Sequence, residues 1–241
     1  MKQMHAGSVT VGLFAVVGLV AGPLALSASA VTVNCWNPHC YSTAEWDSGG
    51  IYGGFDTVYV VNGSAADWSA GGHVNETLWV GTDNAAPIQR TYWIEVGYWY
   101  GSVAGYSGPG PNWYWADSRP GGGYHEHIPS GFSSPLNFLN QNISVSASYA
   151  GSSTWNIYIA GYSAGVSTSN PGVSDGLLTG LEVRSSSSSS YLNGSTDGSM
   201  EWQNSAGTWS SGWGSLTYTH VDSPLTGGWY ITDHVWTNSL P

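Results

Sequence analysis

Beyond residue 2 the chain has no lysine, and its positive charge is confined to Arg90, Arg119 and Arg184. Against these stand 15 acidic residues. Such a balance repels phosphate backbones and anionic headgroups, so nucleic acid and membrane surfaces are excluded as partners and a neutral or cationic ligand is favoured. Charged residues of both signs make up only 8% of the chain; solubility rests on Ser, Thr, Asn and Gly. Helical periodicity is missing after residue 30, which argues against an all-α or α/β domain. Also missing are tandem repeats, a glycine loop that could cradle phosphate, and any ordered Ser-His-Asp set. Past residue 30, no apolar run is long enough to span a bilayer.

What is present begins with a leader. Lys2 and His5 precede a mostly apolar run, Val9 to Leu26, and Ala28-Ser29-Ala30 is a small-residue cleavage site. The pattern predicts a secretory signal peptide over residues 1–30 and an extracellular mature chain. A retained signal anchor is the weaker alternative, because no basic stop-transfer flank follows. Residues 31–50 form an N-terminal segment, and residues 51–241 have the length of one β-sandwich domain. Cys35 and Cys40, the two cysteines of the chain, are expected to close a local disulfide in an exported protein. A loop that short contributes roughly 2 kcal/mol. Oligomeric state is not encoded in any pattern found here.

Gly, Ser, Thr, Asn, Trp and Tyr dominate, a composition that favours short strands and tight turns. Predicted strands are Phe55–Val61, Thr77–Thr82, Gln89–Tyr100, Asn112–Asp117, Gly123–Ile128, Asn142–Tyr149, Thr154–Ala160, Leu177–Arg184, Ser199–Gln203, Ser215–Val221 and Trp229–Trp236. Their number and spacing predict an all-β fold of two antiparallel sheets, a sandwich or jelly roll. Alternation assigns core faces: Tyr92, Ile94, Val96, Tyr98 and Tyr100; Ile143, Val145, Ala147 and Tyr149; Trp155, Ile157 and Ile159; Leu177, Leu181 and Val183. Ser185–Ser190 reads as a flap over a cleft or as a plain hairpin tip.

The same alternation turns Glu95 and Glu182 away from the core. Glu95 lies between Trp93 and Trp99, with Gly97 expected to leave open space beside it. Arg184 shares the face of Glu182. Two carboxyls facing one cleft push one pKa up and the other down, which supplies an acid and a base; two solvated glutamates on an outer sheet face are the plainer alternative. LWVGTD, WIEVGY, NWYWAD with PGGGYHEH, and GLLTGLEV resemble, in order, landmarks of the glutamic peptidases (eqolisins). That resemblance implies a secreted, acid-acting, concanavalin-like β-sandwich that cleaves polypeptides without a cofactor. It implies that Trp79-Val80-Gly81 opens the pattern, that Glu95 stands where the family has its catalytic glutamine, and that Glu182 is the general base. A carboxyl in place of the amide can steady an oxyanion only while protonated.

Paired glutamates among aromatic side chains also resemble xylanase-type glycoside hydrolases acting on polysaccharide. The alternative from another class is a carbohydrate-binding module, in which the aromatics stack on sugar and the glutamates accept hydroxyl protons. Trp93, Trp99 and Trp115 are predicted as cleft walls and His125 as a polar cleft group. His125 and His127 share a strand face, with His220, Asp233 or His234 as conceivable third ligands. Their spacing does not specify a metal, and none is assigned.

Overall fold

A computed structural model of the chain describes residues 39–81, 91–102, 106, 108–172, 174–185, 187, 189–213, 216–223, 225–230 and 235–240. The expected leader, Cys35, Gln89, Arg90, Asp233 and His234 lie outside the described residues. Sixteen strands occupy the described chain. They are β1 (Cys40–Ile51), β2 (Gly53–Tyr59), β3 (Gly63–Ser64), β4 (His73–Gly81), β5 (Trp93–Gly101), β6 (Asn112–Arg119), β7 (Gly123–His127) and β8 (Asn142–Gly151). There follow β9 (Thr154–Ile159), β10 (Tyr162–Thr168), β11 (Ser174–Arg184), β12 (Tyr191–Gln203), β13 (Trp209–Ser211), β14 (Tyr218–Val221), β15 (Thr226–Tyr230) and β16 (Val235–Leu240). No helix among the described residues is long and apolar enough to cross a membrane.

The strands form two antiparallel sheets, ordered β14-β1-β11-β4-β5-β6-β7 and β10-β9-β8-β2-β12-β16-β15, with β3 and β13 also paired to β12. This is the all-β sandwich that the composition predicts. Ile94, Val96, Tyr98 and Tyr100 of β5 enter one core with Ile143, Val145 and Ala147 of β8, Trp155, Ile157 and Ile159 of β9, and Leu177, Leu181 and Val183 of β11. Each set obeys the two-residue period because one face of its strand packs against the opposite sheet.

Three features depart from the sequence reading. Residues 40–50 are not part of a separate segment: β1 is an inner strand, hydrogen-bonded to both β11 and β14, so Cys40–Ile51 belongs to the sandwich. The expected strand Trp229–Trp236 is instead the facing ends of β15 and β16, with Trp229 opposite Trp236. The serine run is pinned at both ends. Ser185 donates to Asp67 at 2.7 Å and lies 2.6 Å from the Ser190 hydroxyl, which accepts from the Ala66 amide.

The interior also contains acids. Asp56 of β2, Glu76 of β4 and Asp197 of β12 are fully buried. Thr179 donates a short hydrogen bond to Asp56, the Gly198 amide donates to it at 3.0 Å, and Ser195 donates to Glu76. Burial pushes Asp56 up to about 6 against those hydrogen bonds. Asp197 is driven well above the carboxylate range by burial and by the charges of Glu76 and Asp56.

Candidate functional site

The outer face of the first sheet is organised in rows across the strands. One row runs Leu178, Trp79, Glu95, Ala116, Glu126 on β11, β4, β5, β6 and β7. Another runs Tyr41, Glu182, Asn75, Trp99 on β1, β11, β4 and β5. Between them lies Thr43, Gly180, Thr77, Gly97, Tyr114. Over these rows opens a cleft of about 460 Å³, lined by His39, Tyr41 and Thr43; His73, Trp79 and Gly81; Trp93 and Glu95; Tyr124 and Glu126; and Leu178, Glu182 and Arg184. The two glutamates stand two strands and four residues apart. That offset puts their Cα atoms roughly 16 Å from each other at ordinary strand spacings, with the middle row as floor between them.

Glu95 is buried, at 2% exposure. The Trp79 indole N–H donates to its Oε2 at 2.6 Å and the Tyr124 hydroxyl makes a short bond to its Oε1. Burial and the charge of Glu182 raise its pKa to about 8, outweighing both donors. Glu95 is therefore a neutral carboxylic acid below that pH.

Glu182 has the opposite character. His39 Nδ1 makes a short contact with Oε1, the Tyr41 hydroxyl donates to the same oxygen at 3.0 Å, and the Asn75 amide donates to Oε2 at 3.3 Å. Burial alone raises its pKa, but the His39 hydrogen bond, the charges of His73 and His39 and the Tyr41 hydroxyl overcome it, and the net displacement is downward. Tyr41 stays a neutral donor, because burial and the Glu182 charge push its pKa upward. His73, 5% exposed, lies with its ring 4.2 Å from that of Trp99. Burial lowers it to about 4, so it is a neutral imidazole over most of the pH range.

The sequence-predicted residues divide clearly. Glu95, Glu182, Trp93 and Arg184 line the cleft. Trp99 shares their face but is buried and does not line the cleft; it packs edge-on against Tyr114. Trp115 and His125 are corrections. Trp115 belongs to the core between the sheets, where it stacks on His127 at 3.8 Å and blocks the Cβ direction of Gly165. Asp117, two residues along on the same strand face, is buried with it and accepts a hydrogen bond from Ser167. His125 is opposite Asp117, and its Nε2–H donates to the Gly122 carbonyl at 2.6 Å. On β7 it is Tyr124 and Glu126 that reach the cleft. Gly97 does not open space either: a Cβ there would meet the Glu76 carbonyl oxygen at 1.9 Å.

Sequence reasoning missed Trp79, Tyr124, Tyr41, His39 and His73. A signal existed for Trp79, since β4 alternates Val74, Glu76, Leu78, Val80 inward with Asn75, Thr77, Trp79 outward. For His39 and Tyr41 there was little, because β1 carries almost no hydrophobic contrast.

No protein-family model and no curated protein matches the chain. Among solved structures, scytalido-glutamic peptidase with a transition state analog inhibitor is similar in fold: TM-score 0.56, 9% identity, 84% of this chain and 98% of that one. SCP-B, a member of the eqolisin family of peptidases in a complex with the tripeptide Ala-Ile-His, gives 0.50 with 10% identity over the same shares. The β-glucanase of Bacillus licheniformis gives 0.38 with 12% identity, over 57% of this chain and 56% of that one. At these identities the likeness to the two peptidases is one of fold.

Proposed function

We propose that this chain is an exported hydrolase, active from acid to neutral pH, that cleaves polypeptide in the cleft between Glu95 and Glu182. The reading is carried by the opposed displacement of two carboxyls that line one cleft, Glu95 up to about 8 and Glu182 below its ordinary range. Ionised Glu182 takes a proton from water as the oxygen attacks the peptide carbonyl. Protonated Glu95 donates a hydrogen bond to the oxyanion that forms. Collapse of the tetrahedral intermediate breaks the C–N bond, and the proton held by Glu182 passes to the departing amine. The fold shared with two glutamic peptidases supports the reading.

Both groups are in their working state between the depressed pKa of Glu182 and about pH 8, so activity follows a bell with its upper limb near 8. Glu182→Gln abolishes cleavage of denatured protein, by about 100-fold or more. Glu95→Gln keeps a donor at every pH and removes the upper limb. A wild-type profile that rises through pH 8 would overturn the assignment. The aromatic rim favours one second reading, a sugar polymer stacked on Trp93 and Tyr124, whose rings lie 6.0 Å apart. Release of reducing ends from a polysaccharide panel would establish it, and sugar-dependent fluorescence without turnover would leave only binding.

A further inference from the structure

One end of the cleft gathers two imidazoles and a carboxylate from three strands or their edges. His39 immediately precedes β1, His73 opens β4, and Glu182 lies on β11. One ligand atom from each lies within 4.8 Å of the other two. We propose that His39, His73 and Glu182 bind a divalent transition metal ion, of the zinc or cobalt type, with its remaining coordination position open to the cleft.

Three observations carry this. The Nε2 of His73 is buried and has no hydrogen-bond partner, although the residue is among the cleft-lining side chains. An unpartnered buried nitrogen is a costly group, and a metal ion satisfies it. The donor set is also chemically matched: two imidazoles with one carboxylate suit Zn²⁺, Co²⁺ or Fe²⁺ and not Ca²⁺ or Mg²⁺, which select oxygen. Finally, the carboxylate is oriented from behind by the Tyr41 hydroxyl and the Asn75 amide, and the His73 ring is fixed against Trp99. Such supporting contacts hold metal ligands in place.

Donors around a tetrahedral ion sit about 3.3–3.5 Å apart. Reaching that spacing requires the His39–Glu182 contact to open and the set to contract elsewhere. The His39 side chain, 32% exposed, has room to turn. Binding stands on these residues alone; its consequence for hydrolysis rests on the proposed reading of the cleft. An ion that holds Glu182 removes the free base, so the bound chain is the inactive form.

The experiment is a titration of the whole chain with Co²⁺ in neutral buffer, read by its visible ligand-field absorption and by displacement with Zn²⁺. One equivalent is expected. Glu182→Gln and His73→Ala each weaken binding by more than about 100-fold, and Asn75→Ala by roughly 10-fold. His39→Ala weakens binding as well, and because that side chain is half-buried it serves where His73→Ala disturbs folding, as judged by near-ultraviolet circular dichroism. His125→Ala and His220→Ala leave binding unchanged. Absence of saturable one-to-one binding, or binding that survives both His39→Ala and Glu182→Gln, overturns the proposal. Saturating Zn²⁺ should also suppress cleavage of denatured protein, with recovery on chelation. If the metal-free chain cleaves nothing while the Co²⁺ spectrum is present, the hydrolase reading fails and the metal site stands.

Discussion

The chemistry of Glu95 is set chiefly by burial and three neighbours, which pull in two directions. Burial and Glu182 raise its pKa, while Tyr124 and Trp79 lower it. Removing one donor therefore has a defined sign: Tyr124→Phe moves Glu95 above about 8 and shifts the upper limb of the activity profile in the same direction. Glu182→Gln removes a negative charge and moves Glu95 down, which carbon NMR of the labelled carboxyl reads without any need for turnover. At this scale Glu95 and Glu182 were legible in the sequence, because an acid that interrupts an apolar alternation has one face left to occupy. Their hydrogen-bond partners were not, since Tyr41, Tyr124 and Trp79 come from three other strands and only pairing brings them near.

Among the elements, contrast between faces decided what could be read. β5, β8, β9 and β11 alternate cleanly, and their inward residues follow from period alone. β6 places Trp113, Tyr114, Trp115 and Ala116 in succession, so hydrophobicity assigns no phase, and Trp115 went to the wrong side. β1, with Ser42, Thr43, Glu45 and Asp47, has the composition of a loop; its strand character comes from the neighbours that take its backbone hydrogen bonds. The glycines of β5 and β11 are where strand packing is most exacting. A Cβ at Gly180, whose φ is +138°, would meet the Ser42 carbonyl oxygen at 2.1 Å, much as one at Gly97 would meet Glu76. Alanine at either position should cost about 1–3 kcal/mol or more, measured as a fall in the urea midpoint with unchanged slope.

For the molecule as a whole, the buried acids make stability a function of pH. Asp56, raised from 3.8 to about 6, Glu95, raised from 4.5 to about 8, and Asp197, raised well above 3.8, each hold a proton in the native state that the unfolded chain has released. Stability from such groups is fully present below their unfolded values and is lost as pH rises through the folded ones. His73 opposes this, because its value falls from 6.5 to about 4 and its contribution is lost as pH falls through that interval. His127, whose value burial also lowers, acts in the same sense as His73. With three groups against two, the melting temperature should decline as pH rises from about 5 to about 8. Each net proton contributes about 1.4 kcal/mol per pH unit. A melting temperature that is flat or rising across that interval would refute the buried protonated trio. Composition had already indicated a sandwich; it could not reveal acids between the sheets, because an alternating pattern assigns any carboxylate outward until its partners are known.

The row of Thr43, Gly180, Thr77 and Gly97 has a further consequence, for how descendants of this chain can diverge. Two of its four positions admit no side chain, because neighbouring carbonyls already fill the space. New ligand preference cannot be acquired by adding side chains at Gly97 or Gly180. It has to arise at the margins, through exchanges at Trp93, Glu126 and Arg184, so selection is free to change what enters while the bed on which it rests is inherited intact.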